Sequence, residues 1–215
     1  MREELIWKIL DQKLIAIVRG LTGGQIVPLA RALLAGGISL IEVTFDQAEP
    51  DSFARTAQAI AAIQEACGEA VSAGAGTVMS PEQLRMAYDA GAEFIISPNV
   101  DEAVIAETRR LGLVSLPGCM TPTECAAAHS YGADFIKIFP AGVLGPDYIK
   151  ALKAPLRHLR FMAVGGVGPG IIPDFLRAGA AGFGVGGNLV DWKLIAAGRF
   201  AEITGLAKAY VKACG

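Results

Sequence analysis

A lysine lies inside an apolar, strand-like segment of this chain, where an ammonium group is poorly hydrated. The segment reads Phe135-Ile136-Lys137-Ile138-Phe139, and the two-residue period of a strand places Lys137 between two phenylalanines on one face. Desolvation there lowers the pKa of the amine, and a neutral amine attacks a carbonyl to form a Schiff base. The alternative is a lysine at a strand end whose tip reaches solvent.

A carboxylate occupies a similar position earlier in the chain. The segment reads Ile38-Ser39-Leu40-Ile41-Glu42-Val43-Thr44, and its period places Glu42 and Thr44 on one face. If this strand and the strand of Lys137 lie on opposite sides of a ring, a carboxylate faces an amine nucleophile. A small molecule or water then fits between them. The alternative is a buried ion pair that only fixes strand register.

A repeating order of elements supplies such a ring. After an N-terminal amphipathic helix over about residues 2–11, short apolar runs alternate with helical patterns eight times. The predicted strands are Leu14–Arg19, Ile38–Thr44, Val71–Thr77, Phe94–Ser97, Leu113–Pro117, Phe135–Phe139, Phe161–Val164 and Gly182–Gly186. The predicted helices lie near residues 24–35, 51–67, 81–90, 101–110, 122–131, 146–152, 170–178 and 191–213. This alternation predicts an α/β fold, the (β/α)8 TIM barrel, over about residues 12–190 of a single domain that spans residues 1–215.

The active site of such a barrel lies at the carboxyl ends of its strands. The candidate residues at these ends are Arg19, Glu42, Thr44, Thr77, Pro98, Lys137, Phe139, Gly165, Gly166, Gly186, Gly187 and Asn188. The glycines follow the seventh and eighth strands, where backbone N–H groups converge on a phosphate beside a helix N-terminus in many barrels. Tight turns are the alternative use of these glycines.

Composition narrows the classes of function. The net charge of −2 provides no basic field for nucleic acid, so a small-molecule ligand is expected. The acidic N-terminus is unlike a signal peptide, and no uncharged apolar run approaches the ~18 residues that span a bilayer. A cytoplasmic protein without a membrane partner is therefore expected. No cluster of His, Cys, Asp and Glu has metal-ligand spacing, so no metal site is predicted.

Several short motifs resemble a known family by their order and spacing. They are Ile41-Glu42-Val43-Thr44, Gly74-Ala75-Gly76-Thr77-Val78, Ile96-Ser97-Pro98, Pro117-Gly118 followed by Thr121-Pro122-Thr123-Glu124, Lys137-Ile138-Phe139-Pro140, and Gly165-Gly166-Val167. Together they resemble the aldolases of 2-keto-3-deoxy-6-phosphogluconate (KDPG) and 4-hydroxy-2-oxoglutarate (KHG). The resemblance covers about residues 12–190.

The resemblance implies a class I aldolase that releases pyruvate and an aldehyde, either glyceraldehyde 3-phosphate or glyoxylate. It implies that Lys137 forms the Schiff base, that Glu42 carries the proton, and that Thr77 lies near the pyruvyl carboxylate. Pro98 and Phe139 would line the pocket. The resemblance further implies that no metal or other cofactor is needed, that the protein is a homotrimer, and that it acts in carbohydrate metabolism of the Entner–Doudoroff type.

Two positions depart from the family pattern. Many relatives carry an arginine two places after the threonine of Glu-Val-Thr, whereas this chain has Asp46, which cannot hold a carboxylate; Arg19 is predicted to supply that cation instead. Relatives also often have hydroxyl residues in the two glycine loops, where this chain has Val164-Gly165-Gly166 and Gly186-Gly187-Asn188. An unphosphorylated or otherwise different aldehyde half therefore remains an alternative.

Two other functions fit the same barrel. A phosphate-binding isomerase or epimerase would use Glu42 as a base and Lys137 only as an electrostatic group. A non-catalytic barrel would bind a keto acid or sugar phosphate. The opposed carboxylate and amine favour the aldolase, because binding alone needs neither.

Overall fold

The computed structural model describes residues 2–21 and 23–215. Within these residues, nine strands form one parallel sheet. They are β1 Leu14–Arg19, β2 Leu40–Thr44, β3 Ser72–Gly76, β4 Phe94–Ile96, β5 Val114–Leu116, β6 Gly118–Cys119, β7 Ile136–Ile138, β8 Phe161–Val164 and β9 Ala180–Val185. Their hydrogen-bonded order is β5-β4-β3-β2-β1-β9-β8-β7-β6.

The two ends of this order are consecutive pieces of chain, so the sheet closes on itself. Pro117 separates β5 from β6 because it has no N–H to continue the ladder. The N–H of Ser97 donates to Leu116 O on one side (3.4 Å), and the N–H of Lys137 donates to Pro117 O on the other (2.9 Å). The segment therefore acts as one barrel strand, and the predicted (β/α)8 barrel is confirmed.

Helices surround the ring and also close one end of it. They are α1 Arg2–Gln12, α2 Gly23–Ala35, α3 Phe53–Cys67, α4 Pro81–Asp89, α5 Glu102–Arg110, α6 Pro122–Ser130, α7 Ala141–Leu144, α8 Pro146–Lys153, α9 Ile172–Arg177, α10 Trp192–Ala196 and α11 Phe200–Cys214, with 3₁₀ turns at Pro50–Ser52 and Gly68–Ala70. No helix in this described part of the chain is long and apolar enough to cross a membrane.

Two helical predictions need correction, and the structure adds one helix that the sequence did not predict. The predicted C-terminal helix over residues 191–213 is divided, because Gly198 turns the chain at φ 68° between α10 and α11. The helix predicted near 170–178 is only α9, six residues long, because its N-cap, Ile171, has no side-chain oxygen to cap it. The short helix α7 was not predicted; its N-cap is Pro140.

The barrel interior is filled from its amino end. Leu5, Ile6 and Ile9 of α1 pack in one cluster with interior side chains that include Phe94 of β4 and Phe135, the residue before β7. A separate apolar cluster lies between the strands and the outer helices. An ion pair between Arg2 and Asp134 ties α1 to the segment before β7. This plug at the amino end leaves the carboxyl ends of the strands as the open end of the barrel.

Candidate active site

A cavity of about 370 Å³ lies at the carboxyl ends of the strands. It brings together most of the candidate residues: Arg19, Glu42, Thr77, Pro98, Lys137, Phe139, Gly165, Gly166, Gly186, Gly187 and Asn188. The rest of the lining is Ile17, Val164, Val167, Gly184 and Val185. Thr44 lies instead on a neighbouring cavity that shares Arg19 and Thr77 with the first. The carbonyl of Thr44 accepts a hydrogen bond from Thr56 Oγ1 (3.3 Å).

Glu42 and Lys137 lie on opposite sides of the ring, on β2 and β7. Three strands, β1, β9 and β8, separate them along one arc of the sheet. Both are buried, with exposed fractions of 2% and 7%. No direct ion pair joins them among the described residues, yet each shifts the pKa of the other. The space between the two groups is therefore part of the cavity, as a substrate site requires.

Burial moves both groups towards their neutral forms. Desolvation raises the pKa of Glu42, and the charges of Lys137 and Arg19 offset part of that rise. Desolvation also lowers the pKa of Lys137, which the Glu42 charge opposes and the Arg19 charge assists. A buried lysine with a lowered pKa is a candidate nucleophile, and a buried carboxyl with a raised pKa is a candidate proton carrier.

A glycine makes room for the carboxylate. A side chain on Gly76 of β3 would collide with Oε1 of Glu42, since the carboxyl lies directly over that glycine. The other oxygen, Oε2, is buried without a hydrogen-bond partner in the described structure. An unsatisfied buried carboxylate oxygen is costly, so this atom is available to a water molecule or a substrate hydroxyl.

Aromatic carbon borders the lysine on the solvent side. The Nζ atom of Lys137 lies 5.2 Å from the centroid of the Phe139 ring. Gly165, at φ 88°, lets that ring approach closely, because its Cβ position would lie 3.1 Å from the Phe139 ring atoms. The ring limits the hydration of the amine and leaves it open to the cavity.

Arg19 brings a cation to the edge of the cavity. Arg19 is the last residue of β1 and lies opposite Thr44 in the register of β1 and β2. Arg19 is exposed and forms no ion pair among the described residues. Asp46 forms no ion pair with this cation in the described structure, and its Oδ1 accepts the N–H of Ala48 (2.9 Å) in the loop after β2. An unpaired arginine that lines the cavity suits a substrate carboxylate.

Thr77 adopts a strained backbone conformation at the cavity wall. Its φ is 55°, in the left-handed region that branched side chains rarely enter. Such a conformation costs about 1–3 kcal/mol and persists only where the surroundings enforce it. Strain of this kind is common at functional sites, and here it coincides with the residue predicted to lie near the pyruvyl carboxylate.

The glycine loops line the other end of the cavity with backbone. The N–H groups of Gly166, Gly187 and Asn188 have no hydrogen-bond partner among the described residues, so they are free to donate to an anion. The sequence predicts a helix N-terminus beside these loops. No such helix start adjoins the loop at Gly165 and Gly166, because α9 begins only at Ile172. A phosphate would be held by loop amides rather than by a helix end.

A tyrosine behind these loops was missed at the sequence level. Tyr210 of α11 is buried, and its hydroxyl donates to Val167 O (3.4 Å). Burial raises the pKa of Tyr210, and a hydrogen bond with Asn188 partly offsets that rise. Tyr210 thus contacts both loops. No local motif marks it, because the residue lies in the last helix, far from both loops in the chain.

No described group of three or more His, Cys, Asp and Glu side chains is arranged to hold a metal ion. The polar groups of the residues that line the cavity are instead one amine, one carboxyl, one guanidinium, the Thr77 hydroxyl, the Asn188 carboxamide and loop amides. These groups suit covalent and acid–base chemistry on an anionic carbonyl compound.

The chain matches the family model of KDPG and KHG aldolases over residues 6–206. It is similar to the 2-dehydro-3-deoxy-6-phosphogalactonate aldolase of Escherichia coli strain K12, at 38% identity over 202 residues that cover 93% of each chain. It is also similar to the 2-dehydro-3-deoxy-phosphogluconate aldolase of Treponema pallidum strain Nichols, at 37% identity over 88% of this chain and 87% of that protein.

A solved structure shares the fold at similar identity. It is described as the native KDPGal structure, and it superimposes with a TM-score of 0.83 at 37% identity, covering 93% of each chain. Sequence and fold similarity therefore extend over nearly the same length.

Proposed function

Since the chain belongs to the KDPG and KHG aldolase family and is a class I aldolase, we propose that it cleaves a 2-keto-3-deoxy-6-phospho sugar acid through a Schiff base on Lys137. The observation that carries this proposal is the pair of buried groups, Lys137 and Glu42, on opposite sides of one cavity. The products are pyruvate and a phosphorylated aldehyde.

Lys137 begins the reaction as a neutral amine. Its nitrogen attacks the C2 ketone of the substrate, and loss of water gives an iminium ion. The lowered pKa that burial gives Lys137 increases the share of neutral amine near neutral pH. The iminium then serves as the electron sink for cleavage of the C3–C4 bond, so the proposal assigns no step to a metal or other cofactor.

Glu42 moves the protons. As the C3–C4 bond breaks, its electron pair forms an enamine, and the C4 hydroxyl gives its proton to Glu42 directly or through water. Glu42 then returns a proton to C3 of the enamine. Hydrolysis of the resulting imine releases pyruvate and restores Lys137. The unpartnered Oε2 of Glu42 is the atom suited to this transfer.

The two ends of the substrate take different partners. Arg19 and Thr77 bind the carboxylate next to the reacting ketone, since both line the cavity beside Glu42. The amides of Gly166 and Gly187 bind the phosphate, with help from Asn188. Pro98 and Phe139 form the wall between these ends.

Two observations favour a phosphorylated substrate. The relatives described above are named for phosphorylated substrates, and their similarity covers nearly the whole chain. Backbone donors without a partner among the described residues also belong to Gly166, Gly187 and Asn188, which line the far end of the cavity. The isomerase, the epimerase and the non-catalytic barrel are not favoured, because the family match is to aldolases.

The proposal includes a homotrimer in the cytoplasm. Apolar side chains lie exposed near the open end of the barrel, among them Val143 at 84% and Met120 at 49%, and contact with a second copy would cover them. Light scattering coupled to size-exclusion chromatography tests the assembly. The mass of three chains is expected, and the mass of one chain would remove this part of the proposal.

A substrate panel tests the proposed reaction. Pyruvate release is measured with the 6-phosphorylated gluco and galacto substrates and with 4-hydroxy-2-oxoglutarate, which lacks a phosphate. We expect kcat/KM to be at least about tenfold higher for one of the phosphorylated substrates, because charge-assisted contacts to phosphate contribute about 1.5–3 kcal/mol. Equal values for the unphosphorylated substrate would contradict the assigned phosphate site, and no pyruvate from any member would contradict the proposed reaction.

A further inference from the structure

The strained Thr77 is fixed on both sides by neighbouring strands. The carbonyl of Gly76 accepts the N–H of Phe45 (2.9 Å), and the N–H of Val78 donates to Ile96 O (3.2 Å). The hydroxyl of Ser97 also donates to Val78 O (2.7 Å). These bonds hold the residues before and after Thr77 and fix the N–H of the peptide group that follows it, whereas the carbonyl oxygen of that group, Thr77 O, has a different partner.

Two glutamine side chains hold that carbonyl. Gln47, in the loop after β2, donates from Nε2 to Thr77 O at 2.7 Å. Gln83, in the first turn of α4, donates from its own Nε2 to Gln47 Oε1 at 3.1 Å. Gln83 is 3% exposed, and its Oε1 accepts the N–H of Met79 at 2.7 Å. The relay therefore starts at a buried, anchored amide and ends on the strained residue.

Gln47 contacts the site through Thr77. It lines the neighbouring cavity and not the one that contains Lys137. Its position in the loop is stabilised by the turn in which Asp46 Oδ1 accepts the N–H of Ala48.

We propose that Gln47, anchored by Gln83, is a positioning residue that holds Thr77 in the conformation that binds the carboxylate of the keto acid. This inference rests on the proposed function, since it concerns the same site. An amide is needed at this position because it must donate to Thr77 and accept from Gln83 at the same time. A glutamate of the same shape keeps the second bond and loses the first.

The test compares Gln47→Glu and Gln47→Ala with the wild type in the pyruvate half-reaction, which is followed by exchange of the methyl protons of pyruvate. Above neutral pH, where the new carboxylate is ionised, we expect both variants to raise KM for pyruvate about 3- to 10-fold, with kcat changed by less than about twofold. An unchanged KM in both variants would overturn the proposal.

Gln64→Ala is the matched control. Gln64 also donates from Nε2 to a backbone carbonyl at 2.7 Å, that of Gly91, but in the segment that leads into β4 rather than the loop that follows a strand. Its removal deletes a bond of the same kind and length, so it reports any general effect on stability. We expect its KM for pyruvate to equal that of the wild type, and a rise like that of Gln47→Ala would overturn the positioning role.

A double-mutant cycle separates positioning from a merely structural role. In a Thr77→Ala background the hydroxyl is already lost, so Gln47→Glu is expected to add no further rise in KM. An equal rise in both backgrounds would overturn the proposal. Trapping of wild-type enzyme with pyruvate and borohydride is run beside it. If the imine is trapped while Gln47→Glu behaves normally, the positioning role alone fails; if no imine is trapped, the proposed function fails.

Discussion

The two ends of the cavity, the proposed keto-acid end and the proposed aldehyde end, are lined by different kinds of group. At the keto-acid end, Lys137 and Glu42 project from β7 and β2, and both side chains are buried. At the proposed aldehyde end, the lining is mostly backbone from the loops after β8 and β9, together with the Asn188 side chain, and Gly166 and Gly187 are exposed. The first end therefore presents ionisable side chains in a desolvated place, and the second presents amide donors close to solvent.

This difference separates the chemistry from the choice of substrate. Buried ionisable groups in strands are held by the whole barrel, and their pKa shifts depend on that burial. Exposed loop residues change with little effect on the fold. One barrel can thus keep imine chemistry at one end while single replacements at the other end change the aldehyde that it accepts.

Lys137→Ala is expected to cause the largest loss of activity. We expect pyruvate release to fall by about 10⁴-fold or more, because no other amine faces Glu42 in the described cavity and covalent catalysis is lost. Circular dichroism serves as the control for folding and should be unchanged. Substantial residual release by a folded variant would mean that the amine is not the nucleophile.

Glu42→Gln is expected to lower kcat about 10²- to 10⁴-fold, because it removes the proton carrier and keeps the shape of the side chain. The variant should still form an imine with pyruvate, which borohydride traps. The measurement therefore has two parts, turnover and trapping. Loss of both together would indicate that Glu42 acts on the lysine rather than on the substrate proton.

Arg19→Ala is expected to raise KM for the keto acid about 10- to 100-fold, in line with the loss of a charge-assisted hydrogen bond to a carboxylate. Arg31→Ala, an exposed arginine on α2, is the control and should leave KM unchanged. Steady-state kinetics with pyruvate release as the readout decides between them. Equal KM values for the two variants would remove Arg19 from the binding site.

Gly187→Ser tests the proposed phosphate contact at the other end of the cavity. A Cβ on Gly187 meets no atom within 4 Å, so the new hydroxyl is tolerated and adds a donor near the phosphate. We expect kcat/KM to rise about 2- to 10-fold for a phosphorylated substrate and not for 4-hydroxy-2-oxoglutarate. Gly187→Ala, which adds the carbon without the hydroxyl, is the control. The same gain with alanine would contradict a hydrogen bond to phosphate.

The smallest effects concern pH and have opposite signs. The charge of Glu42 raises the pKa of Lys137, whereas that of Arg19 lowers it. Imine formation needs the neutral amine, so its rate falls as the pH drops through the pKa of Lys137. Glu42→Gln lowers that pKa and should move this fall in rate to lower pH. Arg19→Ala raises the pKa and should move it to higher pH. Trapping by cyanoborohydride at saturating pyruvate measures both. Shifts in the same direction would contradict the electrostatic account of the lysine.

The sequence predicts the barrel and the strand-end residues that line the cavity, for physical reasons. Alternation of strands and helices is a local pattern, and the carboxyl-end rule places Arg19, Thr77 and Lys137 without further information. The two-residue period of strands then points Glu42 inward. These rules use only spacing along the chain, so they need no knowledge of side-chain contacts.

The remainder depends on contacts between distant segments. The relay from Gln83 through Gln47 to Thr77 joins two loops, and the contact of Tyr210 with Asn188 joins the last helix to a strand end. No local spacing encodes either. The start of α9 also differs from the sequence prediction. The prediction places a helix N-terminus beside Gly165 and Gly166, whereas α9 begins at Ile172, several residues later.

Mass spectrometry of the protein after incubation with pyruvate and borohydride tests the central claim most directly. We expect one added reduced pyruvate per chain, on the peptide that contains Lys137, with matching loss of activity and no such addition in Lys137→Ala. An adduct on another lysine, or none at saturating pyruvate, would contradict the assignment of Lys137 as the Schiff-base residue.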